Sequence, residues 1–285
     1  MQKTTLELQL PQWQGGNNPA YQIGQEILAT IVPNGRNIEK LKVPVATESL
    51  SEAPTKITGE QALLHQFQAT TDILKIKQPQ RVITLGGDCS ISEAPFDYLN
   101  GRYDHLGVIW LDVHPDVAND QNSQHVHEMV LANLLNVGAP QFNAQVSHHL
   151  TPDQVMLAGL KDNDLRPMDQ AVNTLPLHYT TPQDLRTGNQ RITEWLTAHQ
   201  IQHVAVHWDL DVLDPQDFRS IYPAEPHTDV TKFPAAVGEL TLNQVFSLLT
   251  AVGQASDLVG LSIAEHLPWD AINLRRGLAT LPIFQ

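Results

Sequence analysis

Val108-Ile109-Trp110-Leu111-Asp112-Val113-His114-Pro115-Asp116 opens on four apolar residues and ends in carboxylate and imidazole groups at alternate positions. A short, unbroken apolar run is the pattern of a strand buried on both faces, as in a parallel sheet. Val204-Ala205-Val206-His207-Trp208-Asp209-Leu210-Asp211 repeats the arrangement. In an extended chain residues i and i+2 face the same way, so Asp112, His114 and Asp116 point together, as do Asp209 and Asp211. These ligands from two strand ends predict a polar cage for a pair of divalent cations. A lone Asp-x-Asp would more simply cap the following turn. Two such clusters, each closing an apolar run, favour the metal site.

Around these segments short β-branched runs alternate with longer helical patterns. Strands are expected at Thr4 to Leu10, Arg81 to Leu85, Leu106 to Val113, Gln154 to Ala158, Leu175 to Tyr179, His203 to Trp208 and Leu258 to Ala264. Helix starts are marked by capping-box patterns at Thr58 to Gln61 and Thr241 to Gln244, and by Thr181-Pro182 with proline at the first helical position. The alternation predicts one α/β domain over residues 1–285, three-layered, with a mostly parallel central sheet flanked by helices. The Pro-rich stretch Ile221 to Val230 reads as an irregular excursion bordering the site.

With 41% hydrophobic and 17% charged residues, the 285-residue chain has the composition of an ordinary globular protein able to bury a large core. A formal net charge of -14 argues against nucleic acid or an anionic membrane as partner. Small cationic or neutral ligands remain compatible. Cys89 is the only cysteine, which excludes an internal disulfide. The opening residues lack the apolar core of a secretory signal, and no window approaches the ~20 apolar residues of a membrane span. A soluble cytoplasmic protein is expected.

Ligands of parallel α/β sheets bind beyond the carboxyl ends of the strands. Five expected strands end in capable groups: Gly86-Gly87-Asp88-Cys89-Ser90, Asp112/His114/Asp116, Lys161-Asp162-Asn163-Asp164, Asp209/Asp211/Asp214 and Glu265-His266. With the order Gly86 to Ser90, Trp110 to Asp116, Trp208 to Pro215 and Gly260 to Glu265, the chain resembles the ureohydrolase family of arginase, agmatinase and formiminoglutamase. The resemblance implies an arginase-like fold and two divalent metal ions, manganese first. It implies Asp112 and Asp209 as bridging ligands, His114 and Asp211 completing one ion, and Asp116 and position 89 completing the other. It further implies His127 as a proton shuttle, with His125 as the alternative, Glu265 against the guanidinium group, and Ser123 and Asp164 as contacts to an amino-acid tail. Partners expected to stand near that tail are replaced by Ala118 and Pro167, unless Asn119 compensates after a one-residue shift, and the N-terminal segment Leu10 to Tyr21 departs from the family pattern. Trimers or hexamers are implied by the resemblance alone.

Position 89 breaks the pattern, because the family motif Gly-Gly-Asp-His-Ser supplies a histidine where this chain has Cys89. A ligating thiolate there favours zinc or iron over manganese; the other reading is a small buried cysteine outside the metal shell. His207 shares the face of Asp209 and Asp211, and is read as a donor to a ligand carboxylate in preference to a direct ligand. His148-His149 read as a surface pair, and Ser90 lacks the Gly-x-Ser-x-Gly elbow of a serine hydrolase. The chemistry that fits is metal-dependent hydrolysis of a guanidino or formimino C–N bond in a small substrate, with Asp116 orienting the attacking water. The competing class is a binding or regulatory protein on the same fold with a decayed metal site.

Overall fold

Val108 and Trp110 face one side of the sheet and Ile109 and Leu111 the other, and all four are fully buried in the computed structural model, which describes residues 3–35, 37–46 and 57–284. The strands are β1 (Thr5–Leu10), β2 (Ile38–Lys42), β3 (Arg81–Gly86), β4 (Leu106–Leu111), β5 (Val155–Ala158), β6 (His178–Thr180), β7 (His203–Asp209) and β8 (Asp257–Ala264). They form one sheet in the order β2-β1-β3-β8-β7-β4-β5-β6. Every pairing is parallel.

Helices α1 (Ala20–Ile31), α2 (Glu60–Lys77), α3 (Glu93–Arg102), α4 (Val130–Leu134), α5 (Pro140–Asn143), α6 (Pro182–Thr187), α7 (Gln190–Ala198), α8 (Leu242–Ala255) and α9 (Trp269–Ala279) connect or follow the strands. Leu6, Val82, Val108, Trp110 and Leu157 pack against Phe67 and Leu74 of α2, Phe96 and Leu99 of α3 and Leu131 of α4. Ile109, Leu111, Met156 and Val206 pack against Leu28 of α1, Trp195 of α7 and Val245 and Leu248 of α8. Each such side chain contributes roughly 1.5–3 kcal/mol, so two dry faces hold the sheet as a rigid platform. Among the described residues no helix is long and apolar enough to cross a membrane.

The strands expected from the sequence all form, with β6 displaced toward Thr180 and β4 ending at Leu111 instead of Val113, so that Asp112 already lies in the turn beyond the strand. β2 was not anticipated: Ile38-Glu39-Lys40-Leu41-Lys42 is a charged edge strand without an apolar run. Charge on an edge discourages pairing with another chain, and Lys40 here meets Glu7 at 3.1 Å. Thr181 and Thr241 cap α6 and α8 through full capping boxes. Thr58 does not cap α2, because Gly59 takes the N-cap place at φ 70° and the helix starts at Glu60.

Glu93, in the first turn of α3, is buried, with Oε1 unpartnered and Oε2 3.4 Å from Asn133 Nδ2. Burial pushes its carboxyl up to about 8; Asn133 opposes the shift and Asp97 adds to it. An acid whose folded pKa is raised stabilises the fold below its unfolded pKa and loses that contribution as pH climbs through the folded one. Glu93→Gln is therefore expected to leave stability nearly unchanged at pH 5 and to raise it by about 2–4 kcal/mol at pH 8.5. Urea unfolding of both proteins at the two pH values measures the difference; a gain equal at both would refute the titration.

Candidate metal centre

The four central strands β3, β8, β7 and β4 are neighbours, and their carboxyl ends deliver the candidate ligands to one place. Cys89 follows β3, Asp112, His114 and Asp116 follow β4, Asp209 and Asp211 end and follow β7, and Glu265 follows β8. Chain connectivity runs from β3 to β4 over the intervening β8 and β7, so the site sits where strand order reverses. Gly87 permits the β3 turn: a Cβ there would lie 1.5 Å from the Gln12 carbonyl oxygen, while Glu265 N–H donates to the Gly87 carbonyl at 2.7 Å. Asp116 (φ 49°) and Glu265 (φ 62°) adopt left-handed backbone conformations that cost a non-glycine residue of order 1 kcal/mol. Both are side chains aimed into the cavity.

The donor atoms fall into overlapping groups. Asp112, His114 and Asp211 offer ligand atoms within 4.8 Å of one another, as do Cys89, Asp112, Asp116 and His207, and Cys89, Asp209 and Glu265. Asp112 belongs to two groups. Its Oδ1 accepts from the His114 N–H at 2.6 Å, which leaves Oδ2 without a hydrogen bond. His114 Nδ1 lies 3.0 Å from Asp211 Oδ2. Asp209 uses Oδ1 to accept from the Asp211 N–H at 2.7 Å and takes the Cys89 thiol on Oδ2 at 3.0 Å. Asp112 Oδ2, His114 Nε2, Asp116 Oδ2, Asp211 Oδ1 and His207 Nε2 are all buried and unpartnered. Orphaned donors and acceptors are rare in protein interiors, and a whole set converging on one space fits divalent cations.

Electrostatics point the same way. Burial, then the neighbouring carboxylates, push Asp116, Asp209 and Asp211 upward. Burial takes Glu265 to about 7, with His127 opposing and Asp211 assisting. Cys89 rises through burial and four surrounding carboxylates. Asp112 alone is held low: burial works against its charge, but contacts with His114 and His207 outweigh it. Carboxylates crowded in a dry site repel one another until positive charge is supplied.

A cavity of ≈ 630 Å³ opens over these groups, lined also by Tyr21, His127, Arg166, Tyr222, Phe233 and Trp269. His127 Nδ1 bonds the Gly15 carbonyl at 2.7 Å, while His125 is not on the wall. The structure does not bring Ser123 or Asp164 to the cavity. Ser123 donates its hydroxyl to Glu128 Oε2 at 2.5 Å, and Asp164 is exposed on the turn after β5. The fifth strand end instead supplies Arg166, which binds Asp169 through Nε (2.8 Å) and Glu128 through Nη1 (2.6 Å). The sequence carried no signal for Arg166 or Tyr21, since neither belongs to a ligand-like spacing; His207 was visible as a polar break in an apolar run.

Residues 34–273 match the arginase family. The chain belongs to the arginase family. Arginase from Entamoeba histolytica is 24% identical over 197 residues, which are 66% of this chain and 62% of that protein. The chain thus spans less than two thirds of that curated relative. The structure of Entamoeba histolytica arginase in complex with L-ornithine superposes with a TM-score of 0.79 at 17% identity, covering 93% of this chain and 91% of that one. Formimidoylglutamase from Bacillus subtilis does so at 0.68 and 15%, covering 98% and 87%. These likenesses establish the arginase-like α/β fold, which also supports enzymes named for different substrates.

Proposed function

We propose that this arginase-family chain hydrolyses the C–N bond of a guanidino or formimino group in a small cationic substrate, releasing urea or formamide and an amine. The observation that supports it most is the set of buried, unpartnered ligand atoms facing a cavity with Glu265 beside them. Two divalent ions would be held by Asp112, His114, Asp209 and Asp211 together with Cys89, Asp116 and His207. When bound, manganese, zinc or iron there would provide Lewis acidity and lower the pKa of a water molecule toward neutrality.

The chain's own groups supply the rest. Glu265 offers two carboxylate oxygens to the planar N–H fork of the substrate. Asp116 accepts a hydrogen bond from the attacking water through Oδ2. Water adds to the amidine carbon, and the departing nitrogen takes a proton from His127, which is replenished from solvent. Aromatic walls at Tyr21, Tyr222, Phe233 and Trp269 limit competing water. A release assay for urea and formamide across guanidino and formimino compounds, with each metal supplied in turn, tests the reading. No product from any pairing, in protein that retains two ions, would leave the binding class as the function.

His127→Asn is expected to lower turnover by roughly 10²–10⁴ at unchanged metal content, with partial rescue by imidazole buffer. If His125→Asn does this and His127→Asn does not, the shuttle is the neighbouring ring.

His207 enters this assignment as a ligand. Its ring stacks on Trp110 at 3.8 Å between centroids and its Nδ1 is 2.7 Å from Ser92 Oγ. With Nδ1–H donating to Ser92, the lone pair of Nε2 faces Asp112 Oδ2, 3.7 Å away. An imidazole from β7 would thus join the ligand group that lacks one at position 89.

A further inference from the structure

We propose a second metal site, at the opposite edge of the sheet from the catalytic cavity, formed by Asp153, His178 and His199. The ligand atoms of these residues lie within 4.8 Å of one another. Asp153 stands in the turn that leads into β5, His178 is the first residue of β6, and His199 follows the last residue of α7. All three are therefore at the amino ends of the strands, whereas the candidate catalytic ligands are at the carboxyl ends. His178 Nε2 is buried and makes no hydrogen bond, with Asp153 Oδ1 3.8 Å away. The His178 and His199 rings are 4.6 Å apart between centroids. A buried nitrogen left unpartnered in a polar cluster is costly, and a cation satisfies it.

The supporting backbone is fixed before any ion arrives. Thr151 and Gln154 close a capping box around the Asp153 turn, and Trp195 Nε1 donates to the Asp153 carbonyl at 3.1 Å. Trp195 lies one helical turn before His199, so α7 and the turn move as a unit. His178 is held by its register with Met156 of β5. Tetrahedral bonds of about 2.0–2.2 Å place donor atoms roughly 3.3 Å apart, a closure within reach of the exposed Asp153 side chain. Two imidazoles and one carboxylate select zinc, nickel, cobalt or copper over magnesium or calcium, with water completing the shell. The ion would tie the three-residue edge strand β6 to the turn before β5 and to α7.

Zinc alone is the probe. Equilibrium dialysis of the full chain is expected to give one more zinc per chain than His199→Gln or His178→Gln, whose residual affinity at this site falls at least ~10-fold. Asp153→Asn weakens binding less, and hydrolytic turnover is unchanged in all three. Asp112→Asn, which empties the other centre, keeps this zinc, so the two assignments fail separately. Anomalous scattering at the zinc edge should place a peak between His178 and His199. His199→Gln lies at a helix end, and thermal unfolding in chelator should match the parent, which removes misfolding as an explanation. Equal zinc counts in parent and histidine variants, or no anomalous peak among the three residues, overturns the site.

Discussion

Asp112→Asn and Asp209→Asn are each expected to strip most of the bound metal from the purified protein and to lower hydrolysis about a thousandfold, the several kcal/mol that metal polarisation supplies. Asp112 has one oxygen committed to the His114 N–H and the other unpartnered, and Asp209 divides its oxygens between the Asp211 N–H and the Cys89 thiol. An amide preserves the first bond and removes the charge that holds two cations close. The same charge is a liability without metal, because burial and neighbouring carboxylates already push Asp209 upward. In chelator, Asp209→Asn should therefore unfold at a temperature equal to or above that of the parent. Loss of metal with retained stability marks a ligand; two ions per chain besides any held by Asp153, His178 and His199, counted by elemental analysis in either variant on a His199→Gln background, would end the assignment.

The parts legible in the sequence are those written in local patterns. Apolar runs ending in Asp112 and Asp209 announced buried parallel strands, but the i, i+2 argument failed past the strand ends: the chain leaves the extended form at Leu111 and Asp209, so a left-handed turn at Asp116 and a 3-10 turn over Leu210–Val212, not strand alternation, aim these side chains. Cap signals at Thr181 and Thr241 held because proline and side-chain acceptors act within one turn. The strand β2 escaped because an edge strand needs no apolar run, and Thr58 misled because Gly59 in the left-handed region displaced it as the cap. The cavity wall was illegible for a different reason. Arg166 is oriented by Asp169 three residues on and by Glu128 from a segment 38 residues away, and no spacing in the sequence links Arg166 to that second partner or to the cavity. Ser123 acts on the same network through Glu128 without reaching the cavity. Family resemblance could not supply these either, since the loops carrying them are where this chain departs most from the pattern.

The largest discriminating effect is expected from the pair Cys89 and His207. Cys89 Sγ lies 3.0 Å from Asp209 Oδ2 and 3.6 Å from Glu265 Oε1, and it shares a ligand group with Asp112, Asp116 and His207. If His207 Nε2 is the imidazole ligand on that side, His207→Ser should lose one ion of two and most activity, while Asp112, His114 and Asp211 keep the other. Cys89→Ser then reads the thiol: with cobalt in the site, a ligating thiolate gives a sulfur-to-metal charge-transfer band that the serine variant abolishes, and a bystander gives none in either protein. The decisive protein carries both Cys89→His and His207→Ser, which returns the imidazole to β3 and removes it from β7. It should regain the second ion that His207→Ser lost and shift preference toward manganese, because nitrogen replaces a softer neighbour. Pair coupling of this kind is what contact between two positions predicts and independent sites do not. A double variant with no more metal than His207→Ser alone would mean that the two positions do not serve one ion, and His207 would return to being a support for Asp112.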